Sequence, residues 1–208
     1  MPSNEDQQLI EKSISGDYIA FEELVRRYEN KVYSVAYRFM GNHADASDLA
    51  QEAFIKIYQA LSKFRGDSSF MTWIYHITSN VCRDELRKRQ KKQTFSLDEN
   101  FQDKDNLPPI MNLPSDKPGP EEEFERFELR KQVQHCLNLL SEEHRLILVM
   151  REMQELSYDE IAEVLDCSLG TVKSRLSRAR MAFKEKMTLI LEQSSSEPRQ
   201  TIKEGMIL

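Results

Sequence analysis

The sequence predicts an all-α chain of two small helical domains joined by an extended acidic linker. Apolar residues recur at spacings of three and four over most of the chain, and no run alternates apolar with polar side chains long enough to suggest a sheet. Glycine and proline are scarce, at 6 and 7 residues. A length of 208 residues suits two domains better than one. With 39% hydrophobic and 31% charged residues, each domain has a modest core and much surface.

The first predicted helix starts near Asp17, a suitable N-cap, and runs through Phe21, Leu24, Val25, Tyr28, Val32, Val35, Ala36 and Phe39 as one apolar stripe. Gly41-Asn42 stops it. A second helix spans Asp45 to Leu61, with Leu49, Ala53, Ile57 and Leu61 inward and Asp48, Gln51, Glu52 and Lys56 beside them. After the polar connection 63–69, a third helix begins at Phe70 and ends near Lys92, apolar first and basic last. The stretch from Gln93 to Pro120 holds Leu107-Pro108-Pro109, Leu113-Pro114-Ser115 and Pro118-Gly119-Pro120, which exclude a regular helix. Helical pattern returns from Glu121 to about Leu140, and Ser141 with Glu142 and Glu143 opens another capped, acidic first turn. Beyond Gln193 the tail has no period and is expected to fray.

Several function classes are excluded. No apolar stretch approaches the ~18 residues of a membrane span, and the N-terminus lacks the build of a signal peptide. Cys82, Cys136 and Cys167 are widely spaced, as expected of reduced thiols in a cytoplasmic protein rather than of a zinc site or disulfide framework. His43, His76, His135 and His144 have no metal-ligand spacing, and no glycine-rich phosphate loop is present. Neither a cofactor nor an enzymatic activity is expected.

The net charge of −6 is unevenly divided. Residues 97–128 hold ten acids against three bases, a net of −7. Residues 83–92 carry six bases against two acids, and residues 173–186 six bases against one. Two basic patches therefore flank an acidic spacer, and it is the local field that phosphate meets.

The motif with the most chemistry lies between Leu156 and Lys186. Ser157-Tyr-Asp-Glu160 is a capping box ahead of Ile161, Ala162 and Leu165. That helix must end at Asp166-Cys167, after which Ser168 caps another. Gly170 is expected to allow a close helix crossing. Val172 and Leu176 face inward, leaving Lys173, Ser174, Ser177, Arg178 and Arg180 outward or flanking. Two helices joined by a short turn, the second basic on its outer face, is helix-turn-helix geometry for the DNA major groove. Its bases can bridge guanine or hold phosphates.

The segment from Phe64 to Asn80 sets aromatic, basic and small polar residues around the start of a helix. Aromatics beside bases suit single-stranded nucleic acid. Helical spacing places most of Phe70, Trp73, Ile74 and Ile77 in the core, whereas Phe64, Arg65 and Asp67-Ser68-Ser69 are less easily explained by packing. A conventional helix-turn-helix regulator with a sensory or dimerising N-terminal domain accounts for residues 156–186 equally well. It leaves the second basic helix and its aromatic loop unexplained.

Three segments in order, SDLAQEAFIKIYQAL, FRGDSSFMTWIYHITSNVCRDELRKRQKK and LSYDEIAEVLDCSLGTVKSRLSRAR, resemble those of bacterial sigma factors, specifically the two-domain extracytoplasmic-function (ECF) group of the sigma-70 family. The resemblance implies region 2 over 1–92, a flexible acidic linker over 93–120, region 4 over 121–193 and a tail over 194–208. It implies a sigma factor that binds core RNA polymerase and directs it to promoters through −35 and −10 elements, promoting melting. Asp48, Gln51 and Glu52 would dock on the clamp helices of the largest polymerase subunit, and region 4 on the flap of the second-largest. Phe64, Arg65, Ser68 and Ser69, with Asn80 and Asp84, would hold flipped bases of the −10 element. Arg83, Arg87, Lys88 and Arg89 would grip the adjacent backbone. Lys173, Ser174, Ser177, Arg178 and Arg180 would read the −35 element in duplex form. An anti-sigma factor is an implied partner, as members of this group are commonly held by a membrane-anchored one. Ser177 departs from the bulkier residue often found there, which bears on the preferred −35 bases.

Overall fold

A computed structural model describes residues 4–93 and 119–196, and these form helices with no strand among them. The first group comprises α1 (Asn4–Ile14), α2 (Tyr18–Met40), α3 (His43–Ala60), a 3-10 turn (Leu61–Lys63) and α4 (Phe70–Gln93). The second comprises α5 (Pro120–Asn138), α6 (Glu142–Leu148), a π turn (Val149–Met153), α7 (Tyr158–Val164) and α8 (Leu169–Ser196). Linker residues 94–118 and the end of the tail, 197–208, lie outside the described residues.

Local chemistry sets the boundaries. The Asp17 carboxylate accepts from the amides of Ile19 and Ala20, and Gly41, with φ +79°, closes α2 by donating to Tyr37. Asn42 then caps α3 by accepting from Asp45. Ser141 caps α6. Leu24, Val32, Val35, Ala36 and Phe39 of α2 pack on Ala46, Leu49, Ala53 and Ile57 of α3 and on Phe70, Ile74 and Val81 of α4. α8 runs on through Gln193 to Ser196, beyond the expected point of fraying.

Sequence reasoning missed α1. Eleven residues with adjacent Leu9 and Ile10 give little periodicity to read. Its attachment is polar as well as apolar: Ile10 is buried, and the Tyr28 hydroxyl donates to Asp6 at 2.8 Å while Arg27 lies 3.3 Å away. Burial and the Asp6 carboxylate together push the Tyr28 phenol well above its ordinary range.

The two groups are in contact and share one continuous core. At the centre of the junction is Arg145, only 8% exposed. Its guanidinium donates to the carbonyls of Leu137 (2.9 Å) and Asn138 (2.8 Å) at the end of α5, and to that of Phe39 at the end of α2. Carbonyls at helix C-termini lack intrahelical donors, so a cation there meets both a need and a dipole. Beside it, Gln134 accepts from Arg38 and donates to the Arg38 carbonyl. Asn138 sits so close to Gly41 that a Cβ there would come within 2.6 Å of its amide. On the other flank, the Tyr75 hydroxyl donates to Gln154 at 2.5 Å, Gln154 donates to Ser34, and Thr72 reaches Glu160 at 3.5 Å.

Arg145→Met is expected to lower stability by about 2–4 kcal/mol, because two buried carbonyls and a part-buried one lose a charged donor. The urea midpoint measures it. A midpoint within error of wild type would contradict this account of the junction.

Candidate nucleic-acid interface

The capping box forms as the sequence predicts. Ser157 Oγ accepts from the Glu160 amide at 3.2 Å, and Glu160 Oε2 accepts from the Ser157 amide at 2.8 Å. The Ser157 amide foremost, then the Ser157 and Thr72 hydroxyls, donate to this carboxylate and hold it below its ordinary range. Non-glycine residues in the left-handed region bracket α7: Glu155 (φ +56°) and Asp166 (φ +48°). Aspartate tolerates that conformation well; glutamate less so. Glu155 is held because the Leu156 amide donates to Met150 and the Leu156 carbonyl accepts from Arg151 at 2.7 Å. Ser168 then caps α8 by accepting from the Thr171 amide at 3.2 Å.

Val172, Leu176 and Ala179 of α8 are buried, and all five outward candidates, Lys173, Ser174, Ser177, Arg178 and Arg180, are exposed. They are not equally available. Ser174 Oγ donates to the Thr171 carbonyl. Arg180 places two guanidinium nitrogens on Glu152 Oε1, at 2.9 and 2.6 Å. Among the described residues, Lys173 and Arg178 have no ion-pair partner. Sequence reasoning missed Met181, which is 62% exposed and lies one turn beyond Ser177 on the same face. Gly170 corrects an expectation: a Cβ there would meet only Ser168 Oγ, at 3.8 Å, so no close crossing requires the glycine.

In the first group the loop before α4 is more structured than expected. Phe64 is half-buried, with its ring 5.3 Å from Phe70 and 5.2 Å from Trp73, so packing does explain it. Ser69 Oγ accepts from the Thr72 amide at 3.0 Å and thereby caps α4. Arg65 and Asp67 are exposed and Ser68 is half-buried, around Gly66 at φ +77°. Along α4, His76, Asn80, Asp84 and Arg87 share one face, with Arg83 beside it. Arg83 donates to Asn80 Oδ1 at 2.6 Å, which fixes the amide's orientation. Asp84, Arg87 and Lys88 are exposed. Arg89 is otherwise engaged, donating to Asp45 at 2.6 Å and Glu85 at 3.0 Å, and the first of these lowers the Asp45 carboxyl. On α3, Asp48 and Gln51 are exposed, and Glu52 is half-buried with Lys56 at 2.9 Å.

The arrangement joins a helix-turn-helix with a cationic outer face to a second basic helix led by an aromatic loop. That defines a DNA-reading protein with two unlike contact surfaces. Residues 24–92 match the family described as Sigma-70 region 2, and residues 130–183 that described as Sigma-70, region 4. The chain is 38% identical over 194 residues to RNA polymerase sigma-H factor of Pseudomonas aeruginosa, covering 93% of this chain and 100% of that one. It is 40% identical over 187 residues to ECF RNA polymerase sigma-E factor of Escherichia coli K12, covering 88% and 94% respectively. The solved structure of CnrH with the cytosolic domain of CnrY aligns with a TM-score of 0.62 at 25% identity, over 91% of this chain and 99% of that one. The sigma factor RpoE of Bartonella quintana, solved with the anti-sigma factor NepR, shares the fold at 23% identity, with a TM-score of 0.63 over 81% and 97%.

The chain belongs to the ECF group of the sigma-70 family. It is a promoter-recognising initiation factor for RNA polymerase, and its partners are core polymerase and promoter DNA; members of this family are not enzymes.

Ser157→Ala is expected to cost about 1 kcal/mol through the lost cap. Because Glu160 is held below its ordinary range, its stabilisation is present above the usual glutamate range and lost as pH falls through the lowered value. Glu160→Gln should therefore flatten the acid limb of a stability–pH curve; an unchanged limb would refute the assignment. Gly170→Ala should be neutral or stabilising by up to about 1 kcal/mol in thermal melts, since alanine is the better helix former.

Proposed function

We propose that α8 reads the −35 element through Lys173, Ser177 and Arg178, flanked by Ser174 and Arg180. The observation that carries this is the division of one helix into a buried row, Val172, Leu176 and Ala179, and an exposed basic row opposite it. Arg178 can span guanine O6 and N7, a contact worth ~1–3 kcal/mol of discrimination. Arg180 must exchange Glu152 for phosphate, which suits a backbone contact better than base reading.

In the same reading, the loop 64–69 and the outer face of α4 engage the −10 element in melted form. Arg65, Ser68, Asn80 and Asp84 present polar groups to extruded bases, with Arg83, Arg87 and Lys88 toward the backbone. Phe64 and Ser69 act from behind, the first by bracing the loop on Trp73 and the second by capping α4. Extruding a base costs a few kcal/mol, which its pocket can return without nucleotide hydrolysis. Asp48, Gln51 and Glu52 face the clamp helices of the largest polymerase subunit, and region 4 meets the flap of the second-largest. An anti-sigma factor controls access to these surfaces, a reading supported by the CnrH relative having been solved with another protein's cytosolic domain. The protein works in the cytoplasm, where its polymerase and template are. No helix among the described residues is long and apolar enough to cross a membrane.

Arg178→Ala should weaken recognition of the upstream element by roughly 1–3 kcal/mol while leaving core binding intact. Asp48→Ala should do the converse. Footprinting of the holoenzyme and core-binding titrations separate the two, and equal loss of both activities in either variant would contradict the division of labour.

A further inference from the structure

The outward face of the first turns of α8 is polar and cationic except at one point. Val172, Leu176 and Ala179 fix the inward direction of the helix. At about 100° per residue, Met181 lies roughly opposite them, at the centre of the outward face. Ser174 and Ser177 stand within about 40° of it, with Lys173 and Arg178 to either side. Met181 is 62% exposed, and the packing of α8 on α5, α6 and α7 leaves it uncovered.

A single exposed apolar side chain is ordinary on a protein surface. This one is set apart by its neighbours, because whatever Lys173 and Arg178 hold by charge is brought against it. The spacing suits a groove. From Lys173 to Met181 the helix rises about 12 Å at ~1.5 Å per residue, and the major groove of DNA is about 12 Å wide. Long side chains on a helix lean toward its N-terminus, which carries the thioether over Ser177, a residue too short to screen it. Adjacent polar groups are turned elsewhere. Ser174 Oγ donates to the Thr171 carbonyl, and Arg180 is drawn aside to Glu152.

The base edges in the major groove present hydrogen-bond donors and acceptors, and one apolar group, the C5-methyl of thymine. A flexible, polarisable thioether adapts readily to such a partner. We infer that Met181 is a specificity-determining residue that packs on a thymine C5-methyl in the upstream promoter element. The recognition helix of this chain then reads an A·T pair by apolar contact, beside the bases and phosphates that Arg178 and Lys173 hold by charge. This rests on the reading that α8 enters the major groove at the −35 element, and it adds to that reading one residue and one base.

The test uses holoenzyme assembled from the full chain and core polymerase, on a promoter duplex that this holoenzyme selects from genomic fragments. Each thymine of the upstream footprint, on either strand, is replaced in turn by deoxyuridine, which pairs as thymine does and lacks only the methyl. At one position uracil should weaken wild-type binding about three- to fivefold, the scale of one buried methyl group. Met181→Ala should bind the thymine promoter less tightly by a similar factor and be indifferent to uracil at that position. Met181→Leu should keep the discrimination, Met181→Gln should lose it, and urea midpoints should stay at the wild-type value. Discrimination that persists in Met181→Ala, a footprint in which no thymine is sensitive to uracil, or an upstream element without an A·T pair would overturn the inference. Arg178→Ala separates it from the reading beneath. If Arg178→Ala loses the upstream element while Met181→Ala matches wild type, only the role of the methionine fails. If Arg178→Ala also recognises the element normally, both fail together. Weaker core affinity in Met181→Ala with uracil discrimination intact would assign the methionine to a protein contact instead.

Discussion

The guanidinium of Arg145 is the constraint on which the arrangement of the two helical groups turns. It draws together carbonyls near the C-termini of α2 and α5, across the one continuous core that the two units share. A buried cation is tolerated there because three carbonyls and two helix dipoles replace its water. Burial still lowers its proton affinity, as expected of a charge taken out of solvent. The planar fork matters, since a lysine ammonium could not address three carbonyls set by two helices in the same way. Around it the junction is mostly polar: Gln134 with Arg38, Tyr75 with Gln154, Thr72 with Glu160. Glu160 therefore serves two masters, the cap of α7 and the contact with α4.

The DNA-facing geometry of the second group follows from its turns. Glu155 and Asp166, both at positive φ, fix where α7 begins and ends, and capping hydroxyls at Ser157 and Ser168 start the two helices. With the turn closed by the Cys167 amide on Ala162, the buried row of α8 sets the rotation of that helix, and its outer row follows. Basic residues on α8 need no packing of their own to be aimed. Their direction is inherited from Val172, Leu176 and Ala179.

Much of this was legible in sequence because it is local. The apolar stripes of α2 and α3, the stop at Gly41-Asn42, the capping box and the outward row of α8 each depend on residues within a few positions of one another. What escaped depends on distant partners or short spans. α1 is too brief to show a period, and its hold on Tyr28 spans 22 residues. The bond from Arg145 to Phe39 spans 106, and an isolated arginine after a capped start reads as surface until its acceptors are known. Phe64 looked unexplained because its neighbours, Phe70 and Trp73, already seemed accounted for as core. Arg180 and Arg89 read as free cations because Glu152 and Asp45 lie 28 and 44 residues away.

The closeness of α4 to α7 has a consequence for length measurement. Elements at −10 and −35 are about 25 base pairs apart, on the order of 85 Å at ~3.4 Å per pair, yet Thr72 and Glu160 are 3.5 Å from each other. On the proposed reading, the helices that carry the two marks belong to units held against each other, a ruler folded at its joint. Reading both elements at once requires the marks to part. Affinity for a promoter is then reduced by whatever fraction of molecules stays shut, so the same polar contacts that order the free protein also tune how eagerly it engages DNA.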